Sequence, residues 1–328
     1  MTKYQAVGIG NAVVDVISQC DDAFLSRMGI EKGVMQLIEQ ERAEFLYDNM
    51  QDRIQMAGGS VANTIAGLGA LGLSTAFIGR VHDDEPGRDY VREMTDAGCA
   101  FVNAPVPAGE LPTSRSMIFV SPDGERSMNT YLGISTELGP EDVNDDVAGQ
   151  AQLLFLEGYL FDKDKGKAAF EAAAKACRAG GGMAGITLSD PFCVDRHRAD
   201  FRTLAKGLDY VIGNEHEWMS LYETQDLGAA LEQAASESGL IVCTRSGEGV
   251  VIVQNEETVT VPVNRVTPLD TTGAGDQFAA GFLYGLANGA PLEAAGRMGC
   301  IAAAEVITHY GARPEADVKA RFAAEGLI

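Results

Sequence analysis

The sequence predicts an α/β fold with a mostly parallel central sheet, helices on both of its faces and a small β-rich lid. The first observation is a series of fully apolar runs after about residue 150, separated by helical stretches. Strands that are buried on both faces of a parallel sheet have this composition. The second is strand-like sequence without intervening helices at about 12–37 and 99–132, which we assign to the lid. A length of 328 residues allows one large domain or two smaller ones, and we expect a single domain over 1–328.

The first half begins with two strand-like runs, YQAVGIG and AVVDVISQC, and Asp15 interrupts the apolar pattern of the second. The spacing of Ile38, Phe45 and Leu46 predicts a helix in IEQERAEFLYDNM. GGSVANTIAGLGALG opens with a glycine pair and continues as a helix. STAFIGRV is predicted as a strand, and DEPGRDYVREMTDAG as a helix that ends at Gly98.

Turn residues and apolar runs define the remaining elements. SPDGER lies between two alternating runs and predicts a hairpin. Five further strands are predicted in AQLLFLEGY, GGMAGITLSD, LDYVIGNE, GLIVCTRSG and GVVIVQN. Helical stretches such as KGKAAFEAAAKACRAG and LGAALEQAASESG separate several of them, as the α/β assignment requires.

Composition restricts the classes of function. The 25 Lys and Arg residues against 47 Asp and Glu residues give a formal net charge of −22, which repels nucleic acids and anionic membranes. Six cysteines without a CxxC pair argue against a zinc site or a disulfide framework. The N-terminus reads as a strand and not as a signal peptide, and no apolar segment reaches membrane-spanning length. We therefore expect a cytoplasmic protein that binds neither nucleic acid nor a membrane.

The stretch DTTGAGDQF, at 270–278, leads into a helix with a recognisable apolar face. Gly273, Ala274, Gly275 and Asp276 therefore lie at a helix N-terminus. Free N–H groups and the helix dipole attract anions there, and glycine lets an anion approach the backbone closely. A carboxylate beside a bound anion needs a task, and accepting a hydroxyl proton during phosphoryl transfer is one. We expect helix N–H groups to keep Asp276 ionised near neutral pH.

An ordinary capped helix explains the same string equally well. Thr271 or Thr272 would then be the N-cap, and Asp276 a first-turn carboxylate. Competing nucleotide motifs are absent or misplaced. GLGALG lies inside a predicted helix, GIGNAV lacks the third glycine, and no GxxxxGK[ST] occurs, so a Rossmann fingerprint and a P-loop are both excluded.

Two other stretches also have a functional and a purely structural explanation. Gly58 and Gly59 precede a helix with Asn63 in its first turn, which suits either a hydroxyl-rich ligand or a tight turn. In GNEHE, Asn214 and Glu217 follow a strand, where ligands bind in such sheets. They either organise Mg²⁺ beside nucleotide phosphates or form a capping box.

Taken in order, these stretches resemble the ribokinase-like (PfkB) carbohydrate kinase family over essentially the whole chain. DTTGAGDQF is similar to the C-terminal signature, GGSVANTIAGLGALG to the N-terminal signature, GNEHE to the NxxE motif and TRSGEGV to the ATP-contacting turn. The resemblance implies a ribokinase-like three-layer α/β/α body with nucleotide binding at about 150–328. It also implies ATP-dependent phosphorylation of a CH₂OH group on a nucleoside or sugar, with Mg²⁺ and, in many relatives, K⁺.

The resemblance implies roles for individual residues as well. Asp276 is the general base, Gly273, Ala274 and Gly275 form the anion hole, and Arg126 reaches from the lid to the phosphates. The hydroxyl-binding residues are Asn11, Asp15, Gly58, Gly59 and Asn63. The ATP-binding residues are Asn214, Thr244, Ser246, Gly247 and Gly249. Glu217 holds Mg²⁺ through water, and carbonyl groups around Asp270 and Thr272 hold K⁺.

The substrate is open between two kinds. GIGNAVVDV and ERSMNTYLGIS are most similar to adenosine-kinase-like bacterial members, which favours adenosine, whereas Val61 and Ala62 read more like a ribose or fructose kinase. An apolar slot for a base is predicted from lid residues, which otherwise form the lid's own core: Phe119, Met117, Met35 and Leu132.

Two alternatives belong to other classes. The intact Asp276 argues against a non-catalytic sensor of sugars or nucleotides, and the missing Rossmann fingerprint argues against a nicotinamide dehydrogenase. The partners expected are a small-molecule substrate and ATP. Edge strands of the lid leave a monomer and a homodimer through the lid equally open.

Overall fold

The computed structural model describes residues 3–107, 111–255 and 257–328. The strands are β1 Tyr4–Ile9, β2 Val13–Gln19, β3 Met35–Leu37, β4 Ile54–Gly58, β5 Thr75–Ile78, β6 Cys99–Phe101, β7 Ser114–Val120, β8 Arg126–Tyr131, β9 Ala151–Glu157, β10 Met183–Thr187, β11 Tyr210–Asn214, β12 Leu240–Thr244, β13 Val250–Gln254 and β14 Glu257–Val261. The α-helices are α1 Asp22–Met28, α2 Gln40–Asn49, α3 Ser60–Ala70, α4 Glu85–Asp96, α5 Asp145–Ala148, α6 Asp164–Ala179, α7 Pro191–Ala205, α8 Glu215–Leu221, α9 Leu227–Glu237, α10 Ala274–Ala287, α11 Leu292–Val306 and α12 Val318–Ala324.

A nine-stranded sheet forms the body, in the order β14-β13-β12-β11-β10-β9-β1-β5-β6. Neighbouring strands from β12 to β6 pair in parallel, and β13 and β14 add an antiparallel edge. Helices α3, α10 and α11 pack in one hydrophobic core, and α6 to α9 pack in a second core. Because both faces of the central strands are covered, those strands are apolar throughout, and the predicted α/β fold is confirmed.

A second sheet of five strands, β3-β8-β7-β2-β4, forms the small β-rich part. Its side chains alternate between two environments, as the strand period requires. Val16 and Phe119 are buried in the same hydrophobic core as Leu25 of α1, whereas Asp15 and Ser116 line a cavity on the other face.

The bounds of this small sheet differ from the predicted 12–37 and 99–132 in two places. Ile54–Gly58 joins it as an edge strand, paired antiparallel with β2. Cys99–Phe101 instead pairs in parallel with Thr75–Phe77 at the edge of the large sheet. Both assignments depend on which distant strand offers free N–H and C=O groups, and a local sequence pattern does not contain that information.

Two other expectations concern cysteines and membrane segments. All six cysteines are free and five of them are buried, in agreement with the absence of a disulfide framework. Across 3–107, 111–255 and 257–328, no helix is long and apolar enough to cross a membrane.

Candidate active site

A cavity of about 420 Å³ lies between the small sheet and the body. Its floor consists of the carboxyl ends of the central strands β9, β10 and β11 and the first turns of α3 and α10. Ligands of open α/β sheets bind at this edge, in the crevice that forms where the order of the strands in the sheet reverses. The topology therefore brings together segments that lie more than 200 residues apart, such as Asn63 and Asp276.

The start of α10 is shaped by Gly273. This residue is the N-cap, has a left-handed φ of 74° and offers no side-chain cap. A Cβ at this position would lie 2.6 Å from Ala312 Cα, so only glycine fits. The prediction of Thr271 or Thr272 as N-cap is wrong, because the N-cap is Gly273, one residue after Thr272. The first N–H groups of α10 therefore lack a side-chain cap and face the cavity, as an anion hole requires.

Asp276 lies in the first turn of α10 and is partly exposed to the cavity. Ser60 Oγ donates a hydrogen bond to its Oδ1 at 2.7 Å, and Asn63 Nδ2 donates to its Oδ2 at 3.0 Å. Desolvation raises the pKa of Asp276 to about 6, and these two hydrogen bonds oppose the rise. The carboxylate is mostly ionised at pH 7, but the donors belong to α3, and the expectation that its own helix supplies them is wrong.

The glycine pair before α3 makes room for polar groups. A Cβ on Gly58 would lie 2.2 Å from Asp15 Oδ2, and a Cβ on Gly59 would lie 2.3 Å from the carbonyl oxygen of Asn11. Gly59 also has a φ of 98°, which side chains rarely allow. Asn11, Asp15, Gly59 and Asn63 line the cavity, whereas Gly58 lies behind Asp15 and does not.

Asp15 is only 8% exposed. Burial raises its pKa to about 7, while the positive charges of Arg126 and Arg313 lower it and Asp276 raises it. The carboxylate faces the cavity from the small sheet. Opposite the start of α10, it is well placed to accept hydrogen bonds from ligand hydroxyl groups.

Arg126 does not line the cavity. Its guanidinium pairs with the carboxylate of Asp270, which also accepts hydrogen bonds from the N–H groups of Thr272 at 2.9 Å and Gly311 at 2.8 Å. This differs from the predicted contact with phosphates, because a carboxylate that is 4% exposed needs a cationic partner. Within the described ranges, Nε and Nη1 of Arg126 are buried without a hydrogen-bond partner.

Glu157 is a cavity residue that the sequence interpretation missed. It is 1% exposed and accepts hydrogen bonds from Asn11 N–H at 3.1 Å, Asn11 Nδ2 at 2.8 Å and Val61 N–H at 3.1 Å. Burial raises its pKa to about 7. It fastens the turn after β1 to the start of α3. A carboxylate at the end of the apolar run LLFLE, at the carboxyl end of a strand, was the available signal.

Asn214 and Glu217 form a closed capping box at the start of α8. Asn214 Nδ2 donates to Glu217 Oε1 at 2.6 Å, and Asn214 N–H donates to Oε2 at 2.8 Å. Both residues also line the cavity, so the structural explanation holds without excluding the functional one. Burial raises the pKa of Glu217 to about 7.

The other residues predicted for ATP and K⁺ divide into two groups. Thr244 and Thr272 line the cavity. Four do not: Ser246, Gly247, Gly249 and Asp270. Gly249 has a φ of 92°, and its Cβ would lie 2.1 Å from the carbonyl oxygen of Val261, so the turn between β12 and β13 itself requires glycine.

Two of the four residues predicted for a base slot line the cavity. Met35 and Leu132 line the cavity, together with Leu37 and Met128. Met117 and Phe119 are fully buried in a hydrophobic core on the opposite face of the small sheet. The cavity nevertheless has an apolar wall of aliphatic and thioether side chains beside the polar groups of Asn11, Asp15 and Asn63.

Comparison with known proteins gives concordant matches. The family model described as pfkB family carbohydrate kinase matches residues 36–319. An uncharacterized sugar kinase of Archaeoglobus fulgidus is 30% identical over 252 residues, covering 75% of this chain and 96% of that protein.

Two solved structures are similar over nearly the whole chain. A probable sugar kinase from Rhizobium etli has a TM-score of 0.94 at 43% identity, and all of both chains is covered. Adenosine kinase from Sinorhizobium meliloti has a TM-score of 0.92 at 45% identity, with 99% of both chains covered.

Proposed function

The chain belongs to the pfkB family of carbohydrate kinases and is an ATP-dependent kinase, and on this premise we propose that it phosphorylates the CH₂OH group of adenosine. One observation carries the choice of a nucleoside: the apolar wall of Met35, Leu37, Met128 and Leu132 beside the hydroxyl-binding groups. A base has flat faces with little polarity that such a wall desolvates, whereas a free sugar carries a hydroxyl group on most of its carbon atoms. The 45% identity to an adenosine kinase supports the same choice.

In this proposal Asp276 is the general base, and it takes the proton of the attacking hydroxyl. Its pKa of about 6 keeps it mostly ionised at pH 7 and basic enough to accept that proton. The N–H groups at the start of α10, from 273 to 275, stabilise the negative charge on the transferring phosphoryl group, and the one of Ala274 shares its hydrogen with the carbonyl oxygen of Thr271. Asn11, Asp15 and Asn63 orient the sugar hydroxyls, and the buried Asn63 Oδ1, which lacks a partner among the described residues, is an available acceptor.

The residues present fit a divalent ion that arrives with the nucleotide. Within the described ranges, no group of three or more His, Cys, Asp or Glu side chains is suited to hold a metal directly. Mg²⁺ commonly keeps several waters and binds substrate phosphates with few protein ligands. We propose that Asn214 and Glu217 hold such waters, and that a nearby cation favours the ionised form of Glu217.

The remaining assignments belong to the same proposal. The small sheet acts as a lid that excludes water, and residues 150–328 hold ATP, with Thr244 and the turn carrying Ser246, Gly247 and Gly249 beside it. Arg126, whose Nε and Nη1 have no partner among the described residues, offers its positive charge to the phosphates. Carbonyl groups around Asp270 and Thr272 are the proposed K⁺ ligands, since the Asp270 side chain already accepts three hydrogen bonds.

The second candidate is a sugar kinase, which the similarity to the Archaeoglobus fulgidus and Rhizobium etli sugar kinases favours. Incubation with ATP, Mg²⁺ and a panel of adenosine, ribose, fructose and other sugars separates the two. ADP release with adenosine, together with AMP identified by mass spectrometry, supports adenosine kinase. Release with a sugar alone overturns the adenosine proposal. Tight binding of a panel member without ADP release with any of them indicates a sensor and overturns both candidates.

A further inference from the structure

The general base proposed above is held at both of its oxygen atoms by one neighbouring helix. Ser60, the first residue of α3, donates from Oγ to Asp276 Oδ1 at 2.7 Å, and Asn63 donates from Nδ2 to Oδ2 at 3.0 Å. An ionised carboxylate only accepts hydrogen bonds, so the Ser60 hydroxyl hydrogen points at Oδ1. Two donors on different oxygens fix the rotation of the carboxylate about its last torsion, which is otherwise broad.

The electrostatic surroundings of Asp276 make these donors important. Among the described residues, the charge of Asp276 acts on two other buried carboxyl groups, Asp15 of β2 and Glu157 of β9, and raises the pKa of both. Desolvation is the main influence on the Asp276 carboxylate, and it disfavours the charged form. The opposing influences are the hydrogen bonds from the Ser60 hydroxyl and the Asn63 amide. Neutral hydrogen-bond donors therefore stabilise the ionised carboxylate of Asp276, as a positively charged side chain does in many other sites.

Ser60 lines the cavity, and we infer that it is a positioning residue of the phosphoryl transfer, which fixes the Asp276 carboxylate and favours its ionised form. This inference rests on the proposed role of Asp276 as the base. Ser60 was not among the predicted site residues, although it stands in GGSVANT between Gly59 and Asn63. Its hydroxyl partner lies 216 residues further along the chain, so only the fold brings the two together.

The chain offers a matched control one turn later in the same helix. Thr64 Oγ1 donates to the backbone carbonyl of Asp276 at 3.1 Å. This bond also joins α3 to α10, but it does not involve the carboxylate. Thr64 Oγ1 also lies 3.3 Å from the carbonyl oxygen of Ser60, so Thr64→Val removes two backbone contacts but leaves both carboxylate bonds of Asp276 in place. It nearly preserves the shape and therefore measures how much the contacts at this end of the two helices matter apart from the carboxylate.

The experiment compares Ser60→Ala, Ser60→Thr and Thr64→Val in the full chain, with ATP and the substrate that the panel identifies. Ser60→Ala should lower kcat by about tenfold or more, leave KM for ATP unchanged and move the acid limb of kcat/KM to higher pH. Ser60→Thr keeps the hydroxyl and should restore both kcat and the limb. Thr64→Val should leave the acid limb of kcat/KM at the same pH as in the wild type.

Three outcomes would overturn the inference. The acid limb stays in place in Ser60→Ala, or Thr64→Val moves it equally, or Ser60→Ala raises only KM for the acceptor. Thermal melting shows whether Ser60→Ala is folded; if it is not, Ser60→Cys, a weaker donor, should give an intermediate shift. Asp276→Asn, made in parallel, distinguishes failure of the proposed function from failure of this inference. Near-normal activity of Asp276→Asn would contradict the role of Asp276 as general base. An inactive Asp276→Asn together with an unchanged acid limb in Ser60→Ala would contradict only the role of Ser60.

Discussion

Two helix starts in this molecule carry the same local feature and use it differently. Asp276 at the start of α10 and Glu217 at the start of α8 are both first-turn carboxylates that line the cavity and have a raised pKa. Glu217 is 5% exposed and is satisfied by Asn214, three residues earlier. Asp276 is partly exposed to the cavity, and its partners come from α3.

The caps explain the difference. Asn214 has extended backbone, and its side chain accepts hydrogen bonds from the N–H groups of His216 and Glu217. Gly273 has no side chain, so no side-chain cap occupies the first N–H groups of α10, although Ala274 N–H donates to the carbonyl oxygen of Thr271 at 3.2 Å. A carboxylate satisfied by its own helix stabilises that helix, whereas one held by a distant element is placed for another purpose. The comparison predicts that charge removal affects chemistry at α10 far more than at α8.

The largest effect is expected for Asp276→Asn. Loss of the general base should lower kcat by about 10²–10⁴-fold while leaving KM for ATP nearly unchanged. In the wild type, kcat/KM should fall below about pH 6, because the base becomes protonated there. The variant should lack this limb. An ADP-release assay between pH 5 and pH 8 measures both, and a variant with near-normal kcat would contradict the assignment.

Stability provides an independent check of the same variant. The pKa of Asp276 rises from 3.8 to about 6 on folding, so the folded state binds more protons in this window. The free energy of unfolding then decreases as pH rises from about 4 to 6. Asp276→Asn removes this decrease in the free energy of unfolding, so its melting temperature at pH 7 should be no lower than that of the wild type. A large drop in melting temperature would instead indicate a structural role for the carboxylate.

The second largest effect separates two glycines at the start of α10. A methyl group on Gly275 would meet no atom of the described residues within 4 Å, so Gly275→Ala should preserve or raise stability, by up to about 1 kcal/mol. Gly275 lines the cavity at the proposed anion hole, so the added methyl group should lower kcat/KM for ATP by about tenfold or more. Stable protein with unchanged kcat/KM would show that no anion approaches Gly275.

Gly273→Ala should also lower activity, but because it destabilises the fold. Its φ of 74° and the 2.6 Å approach to Ala312 Cα should cost about 1–3 kcal/mol of stability. Activity should fall together with melting temperature in this variant, whereas in Gly275→Ala only activity should fall. Melting curves and ATP kinetics on both proteins therefore distinguish a glycine needed for backbone shape from one needed for a ligand.

The same contrast shows what the sequence predicts and what it does not. Apolar runs such as 151–157 and 240–244 gave the parallel sheet, because a strand buried on both faces has few other compositions. The start of α10 was also located from its glycines and the apolar face that follows. What the string 270–278 left undecided was its purpose, since a cap and an anion hole require the same residue types.

The missing information is long-range. Glu157 meets Asn11 across 146 residues, and Ser60 meets Asp276 across 216. The sequence analysis also missed the pairing of Arg126 with Asp270, across 144 residues. Such contacts depend on the strand order, because neighbouring strands in the sheet come from distant parts of the chain.

The smallest effect, and the one that tests α8 most directly, is expected for Glu217→Gln. The single oxygen of glutamine can still accept the capping-box bond from Asn214 N–H, but the bond from Asn214 Nδ2 is lost, so the melting temperature should fall only modestly. Removal of the charge should raise the Mg²⁺ concentration needed for half-maximal activity by a few-fold, because the waters around the ion lose an acceptor with negative charge. Asn214→Ala, in contrast, removes the cap and should cost about 1 kcal/mol of stability. If Glu217→Gln has the Mg²⁺ dependence of the wild type, Glu217 only caps its helix. The carboxylate at the start of α8 would then have a purely structural role, in contrast to the role proposed for Asp276 at the start of α10.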